Sequence, residues 1–302
     1  MKKMTAPLHD PLATYDACVA AIGDFALRSI FSASRASIHE ANVAFDAASQ
    51  HAGWCALPRV PNGNPDVQVA GALTKRHLMD LYSDRMVGTT GPSRDIYDAL
   101  MAAAGGFCPF CGELGQVRTL DHYLPKANFP RHSVLPKNLV PCCRDCNTGK
   151  NAAFGAQAHE QALHPYLDLG HFFDERWVVA KVARLSPILV RYECIPPAHW
   201  SDTDKMRVRS HFDGYKLAYR FSLQAGGEAA KVVELRSQSL RRLTPEDFRE
   251  YLVDNANSTD FVLNGWSRTM YAAFAATNWF VEADFTNEDW HLSPLAVQTV
   301  AS

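Results

Sequence analysis

The 302-residue chain has no run of eighteen or more apolar residues, roughly what a helix needs to cross a bilayer. Its most apolar stretch, 270–281, is short and is interrupted by Thr277 and Asn278. The basic opening Met-Lys-Lys is not followed by an uninterrupted apolar segment, because Asp10, Asp16 and Asp24 break it up. No secretory leader is expected, and the reading is a cytoplasmic protein with no membrane partner. Positive charge is not in excess either: 30 Lys and Arg stand against 32 Asp and Glu, for a formal net charge of −2. That excludes a tail-driven, histone-like binder, so any nucleic-acid contact must come from a local patch. There is no internal repeat and no low-complexity tract. A Walker A loop is also absent, since Arg144 stands where the motif before Gly149-Lys150 requires glycine. The chain carries no sign of its own ATPase, which leaves an activating protein partner or a homo-oligomer as open alternatives.

What is present is cysteine, and it is clustered. Of the eight (Cys18, Cys55, Cys108, Cys111, Cys142, Cys143, Cys146 and Cys194), five fall between 108 and 146. A disulfide framework in a small secreted domain spreads its cysteines differently, so a metal site is the better reading. Cys108-x-x-Cys111 and Cys143-x-x-Cys146 are two knuckle-spaced pairs that together close a tetrahedral four-thiolate shell. Cys142 does not fit, because Asp145 stands three residues beyond it. A closed shell leaves no position for water, so the ion, Zn²⁺, is expected to be structural. Buried free thiols or a redox pair are the alternatives.

Around the cluster the chain reads as mainly helical. Residues 11–52 predict two helices and 56–66, with Pro58, Pro61, Gly63 and Pro65, a loop. Helices are predicted over 74–86 and from an N-cap at Ser93 to 104, ended by Gly105-Gly106. Residues 177–195 predict a hairpin around Ser186-Pro187. Thr244-Pro245-Glu246-Asp247 opens a helix, and another is expected over 261–280. Within the cluster, 117–120 reads as a strand, 138–140 as its returning partner and 145 onward as a short helix. A unit that small has almost no core of its own, so metal binding is expected to supply its folding free energy. Asp121 and His122 are adjacent, and the chain is expected to turn there, ahead of Pro125.

The segment 108–151, with Thr-Leu-Asp-His-Tyr-Leu-Pro-Lys between the cysteine pairs and Cys-Asn-Thr-Gly-Lys-Asn at its end, resembles the HNH, or ββα-metal, nuclease family in the form with two added zinc-binding cysteine pairs. The match covers about 45 residues. The flanking Gly91-Pro-Ser-Arg-Asp-Ile-Tyr-Asp is similar to bacterial HNH proteins with helical flanks. The resemblance implies that His122 is the general base, that Asp121 and Asn147 hold a catalytic Mg²⁺ or Mn²⁺, and that Asn138 fixes the loop by backbone hydrogen bonds. Asn147 stands where other members carry His. A neutral imidazole takes a proton from water near neutral pH, and one carboxylate with one amide leaves most of an octahedron to water and phosphate oxygens. Lys150, one turn beyond Asn147, and Lys126, Arg131 and His132 in the loop are candidate phosphate contacts, with solvated side chains as the alternative. His164 is read as structural.

Between 105 and 155 six basic residues face three acidic ones; between 201 and 242 nine face five; between 243 and 302 two face nine. The first two segments suit a phosphate backbone and the last does not. The expected architecture is α+β, predominantly helical, with a central zinc-stabilised ββα-metal (HNH) motif: a helical N-terminal region 1–92, a nuclease domain 93–155, and a C-terminal region 156–302 with a hairpin and helices. The expected function is DNA endonuclease, in bacterial defence or a mobile element by analogy. An RNA nuclease, or a zinc-stabilised binding module without catalysis, is the alternative.

Overall fold

The computed structural model describes residues 1–112, 114–150, 154–287 and 289–291, with the side chain of Lys150 outside the described set. The chain is α+β and about half helical, with three two-stranded antiparallel sheets among the described residues. It divides into two compact units: Met1–Phe173 with His199–Tyr215, and Asp174–Ala198 with Lys216–Ser302. The sequence-drawn boundaries at 92 and 155 both fall inside the first unit.

Helix starts in the first unit are set by side chains that accept the first backbone N–H groups. Asp10 accepts from Ala13 N at 2.7 Å and opens α1 (Pro11–Ala20); Asp24 accepts from Leu27 N at 3.0 Å and opens α2 (Phe25–Ala33). α3 (Arg35–Ser49) follows a break at Ser34, whose hydroxyl bonds Ala70 O at 3.1 Å. Three helices therefore occupy the segment read as two. After the short pair β1 (Gln68–Ala70) and β2 (Leu73–Thr74), Thr74 and His77 form a reciprocal cap at the start of α4 (Lys75–Tyr82). One wide turn carries the chain to Val87. Ser93 is not the cap of α5 (Pro92–Ala102): Gly91, at φ +93°, holds that position, and the Ser93 hydroxyl instead bonds Arg85 O at 2.6 Å.

β3 (Thr119–His122) and β4 (Leu139–Cys142) pair antiparallel with Thr119 opposite Cys142 and His122 opposite Leu139, and α6 (Arg144–Lys150) follows. This hairpin is less short of apolar support than the sequence suggests. Leu120 and Leu139 are buried in the same core as Tyr15, Phe31, Leu78 and Leu100 of the N-terminal helices. α8 (Asp202–Gly214), beyond the four-residue α7 (His171–Asp174), completes this unit.

In the second unit β5 (Val178–Ala183) and β6 (Leu189–Cys194) form the hairpin expected from the sequence. α9 (Leu217–Ser237) packs on β6, and α10 (Pro245–Asn257) packs on α11 (Trp266–Ala276). α10 begins with the expected Thr244–Asp247 capping box. The single helix expected over 261–280 is two, because Thr277 is extended (φ −99°, ψ 99°) and separates α11 from α12 (Asn278–Glu282).

Candidate metal centre and adjoining motif

Cys108 and Cys111 lie on a tight turn before β3. The turn is closed by Cys108 N to Gly115 O (2.9 Å) and Val117 N to Gly106 O (2.9 Å), and Gly112 follows at φ +60°. Cys143 leaves β4 and Cys146 lies in the first turn of α6. The four sulfurs lie within 4.8 Å of one another, and Cys111 Sγ is 3.9 Å from Cys143 Sγ. With metal–sulfur bonds of about 2.3 Å, a tetrahedral ion holds its sulfurs about 3.8 Å apart, so the arrangement fits an ion at its centre. Cys146 N donates to Cys143 Sγ at 3.5 Å, and no disulfide competes, since all eight thiols are free. All four are buried, as is Cys142, which donates to Cys143 O at 3.2 Å and lies within hydrogen-bond reach of the Cys108 and Cys146 thiols without being one of the four.

The thiols are strongly coupled. Hydrogen bonds from Cys111, Cys142, Cys143 and Cys146 hold the Cys108 thiol far below its ordinary range. Hydrogen bonding to Cys108 pushes Cys143 up, but bonds from Cys111 and Cys146 outweigh it and bring Cys143 down to about 7. The same contacts, those with Cys108 first, push Cys111 and Cys146 up, so the close sulfurs share their protons unevenly, and a cation at their centre would take the place of those protons.

Distant segments hold this turn. Lys2 N donates to Pro109 O at 2.9 Å. On α8, His211 is fully buried; its Nε2 donates to Phe110 O at 2.8 Å and its Nδ1 accepts from Leu163 N at 3.3 Å. The two bonds fix the neutral tautomer, and burial drives the His211 pKa down to about 3. Tyr215 stacks on Phe110, ring centroids 5.2 Å apart. Nearby, Arg207 and Asp168 form a buried two-armed ion pair at 2.6 and 2.8 Å. Sequence reasoning found neither His211 nor this pair, because no local spacing links residues so far apart in the chain.

Asp121 and His122 do not mark a turn. β3 runs through both, opposite Val140 and Leu139, and the chain turns from Tyr123 onward. His122 is the last residue of β3, and Tyr82, on which its ring packs, also feels the Asp121 charge. His122 shares its side with Leu120: its ring lies edge-on to Tyr82 at 4.4 Å, and Nε2 donates to Ser133 O at 2.8 Å. Ser133 in turn bonds Leu78 O of α4 at 2.6 Å. Both Asp121 (6% exposed) and His122 (8%) are buried. Asn147 is half-buried in α6, next to Cys146, and α6 packs on β3. Asn138 closes the loop between the strands: its Oδ1 accepts from Leu124 N at 2.7 Å and its Nδ2 donates to Leu124 O at 3.2 Å and His132 O at 3.0 Å.

The basic candidates separate. Lys126 turns inward, donating to Ser83 Oγ at 2.7 Å with its ammonium 4.8 Å over the Tyr82 ring, and burial lowers its pKa. Arg131 is half-buried and has no side-chain hydrogen bond or ion pair among the described residues. The Lys150 side chain lies outside the described residues. His132 is buried against Phe45, with its pKa pushed down to about 3 by burial and by Arg131. His164 sits among Trp54, Tyr123 and Tyr166, a packing position.

Fold and site together define an α+β protein with a buried four-cysteine cluster whose spacing fits a metal ion. No family model matches the chain, and no solved structure matches it. It is 36% identical over 224 residues to protein ea31 of Escherichia phage lambda, covering 70% of this chain and 75% of that protein. The chain belongs to the family of protein ea31. Among the described residues no helix is long and apolar enough to cross a membrane.

Proposed function

We propose that the chain is a metal-dependent endonuclease of the HNH type, acting on DNA, with a structural Zn²⁺ on Cys108, Cys111, Cys143 and Cys146. The observation that carries this reading is the β3–β4–α6 unit, in which Asp121 and His122 share one strand, Asn147 follows a cysteine ligand on the helix, and Asn138 ties the loop. Asp121 and Asn147 offer oxygen donors that suit Mg²⁺ or Mn²⁺, which when bound supplies positive charge to the leaving oxygen. His122 takes the proton of the attacking water, while the Ser133 carbonyl and the Tyr82 ring hold the imidazole in place. A relative encoded by a phage favours a mobile-element setting over host defence.

The test is cleavage of plasmid DNA by the purified protein with Mg²⁺ or Mn²⁺, with an RNA substrate in parallel. His122→Ala is expected to lower the rate by about 10²–10⁴-fold with zinc content and helicity unchanged. Cleavage by His122→Ala at the wild-type rate would sink the reading. The burial of Asp121 and His122 favours one second reading, a zinc-held nucleic-acid-binding module that does not cleave. Duplex binding without cleavage under every metal tried would select it.

A further inference from the structure

In the second unit, α9 carries apolar residues on two opposite faces. Leu217, Phe221, Ala225, Ala229 and Val232 are buried on the side that packs against β6. The helical repeat gathers Tyr219, Leu223, Gly226 and Ala230 on the other side. There Tyr219 is 64% exposed and Leu223 63%, and Ala230 is exposed with them. A helix that is apolar all round is normally a buried one. Among the described residues nothing covers this outer face.

The middle of the outer face is Gly226-Gly227. After proline, glycine is the residue least suited to a helix interior. A Cβ at either position would meet nothing within 4 Å, so the packing of the described chain does not require glycine there. The missing side chains leave a notch between Leu223 and Ala230 where a second backbone can come close.

The order of residues along the stripe says what fills the notch. It runs from Lys216 through Tyr219, Leu223, the two glycines and Ala230 to Glu234, and Lys216 and Glu234 are both exposed. Turned end for end about the glycines, this stripe complements itself: large meets small, and base meets acid. We infer that α9 pairs antiparallel with α9 of a second copy of the chain, about a two-fold axis passing between Gly226 and Gly227. Leu223 of each copy packs on Ala230 of the other, and the glycine backbones cross. Tyr219 and Lys216 of one copy meet Glu234 of the other. Every contact occurs twice, as a two-fold interface demands. A parallel pairing sets Lys216 on Lys216 and Glu234 on Glu234, and like charges oppose it. The pairing lies in the second unit and stands apart from the nuclease reading.

The experiment is sedimentation equilibrium of the zinc-loaded full chain over a concentration series up to its solubility limit. A reversible monomer–dimer equilibrium is expected. Leu223→Asp puts a charge into the crossing and should weaken the dimer at least about tenfold. Phe25→Asp, at an exposed apolar residue of α2, should leave it unchanged, with zinc content and melting checked on each variant. Glu234→Lys should weaken the dimer a few-fold, and adding Lys216→Glu to the same chain should restore it. A chain that stays monomeric, a dimer that Leu223→Asp leaves intact, or one that Phe25→Asp weakens as much would overturn the inference. Failure of Lys216→Glu to restore the Glu234→Lys dimer would overturn the antiparallel arrangement.

Discussion

His211 Nε2 reaches across the chain to donate to the Phe110 carbonyl, in the middle of the first cysteine knuckle. The same ring accepts from Leu163 N, so its removal orphans a buried carbonyl and a buried N–H at a cost of about 1–3 kcal/mol each. His211→Ala should therefore release zinc to a chromophoric chelator at least about tenfold faster than wild type, since 1.4 kcal/mol is a factor of ten. Equal release rates would mean that the knuckle does not depend on α8.

The ligand set is separable by substitution. Cys142→Ala should keep about one zinc per chain, because the four mutually close sulfurs complete a tetrahedral set without it. Cys143→Ser should lose the zinc and, with it, the folding contribution of a structural site, on the order of 10 kcal/mol in isolated zinc domains. Metal analysis and thermal melting read both. Zinc loss in Cys142→Ala would show that the fifth cysteine takes part.

Asn138 makes three hydrogen bonds from a fully buried side chain. Asn138→Ala leaves Leu124 N unsatisfied and two carbonyls short of a donor, so a loss of about 3 kcal/mol or more is expected by denaturant titration. The damage should fall on the loop that carries Ser133, the partner of His122. If Asn138→Ala unfolded at the wild-type midpoint, the clamp would be energetically idle.

His132 gives the fold an acid-sensitive element. Its pKa falls from 6.5 to about 3 on folding, chiefly through burial. The neutral form is favoured in the native state, so this stability is complete above about pH 6.5 and is lost progressively as pH falls towards 3. Each unit within that window costs at most about 1.4 kcal/mol. Unfolding free energies between pH 7.5 and 5 should decline less steeply in His132→Leu than in wild type; identical slopes would show that His132 does not drive the decline.

How legible was this protein in its sequence? Local rules read well where a few neighbouring residues decide the outcome: the Thr244 capping box, the hairpin over 178–194 and the two cysteine pairs all lie where spacing put them. They failed where a tertiary contact overrode local preference. Ser93, a good N-cap by type, is bonded to Arg85 O, and Gly91 takes the cap. Lys126, a plausible phosphate contact by position, lies over Tyr82. Asp121 and His122 continue a strand because β4 pairs with both, a partnership the dipeptide does not encode.

The identity and spacing of Cys108, Cys111, Cys143 and Cys146 determined two pairs of sulfurs suited to one metal ion, since each x-x-separated pair brings its side chains to one side of a turn; the pairing of β3 with β4 brings the two pairs together. Tertiary structure alone decided what the site is built into. Leu120 and Leu139 are sealed against the N-terminal helices, the knuckle hangs from His211 on α8, and the imidazole of His122 is oriented by Tyr82 and Ser133. Each of these is a packing or hydrogen-bond relation between segments distant in sequence, and the free energy that selects it exists only once the chain has folded.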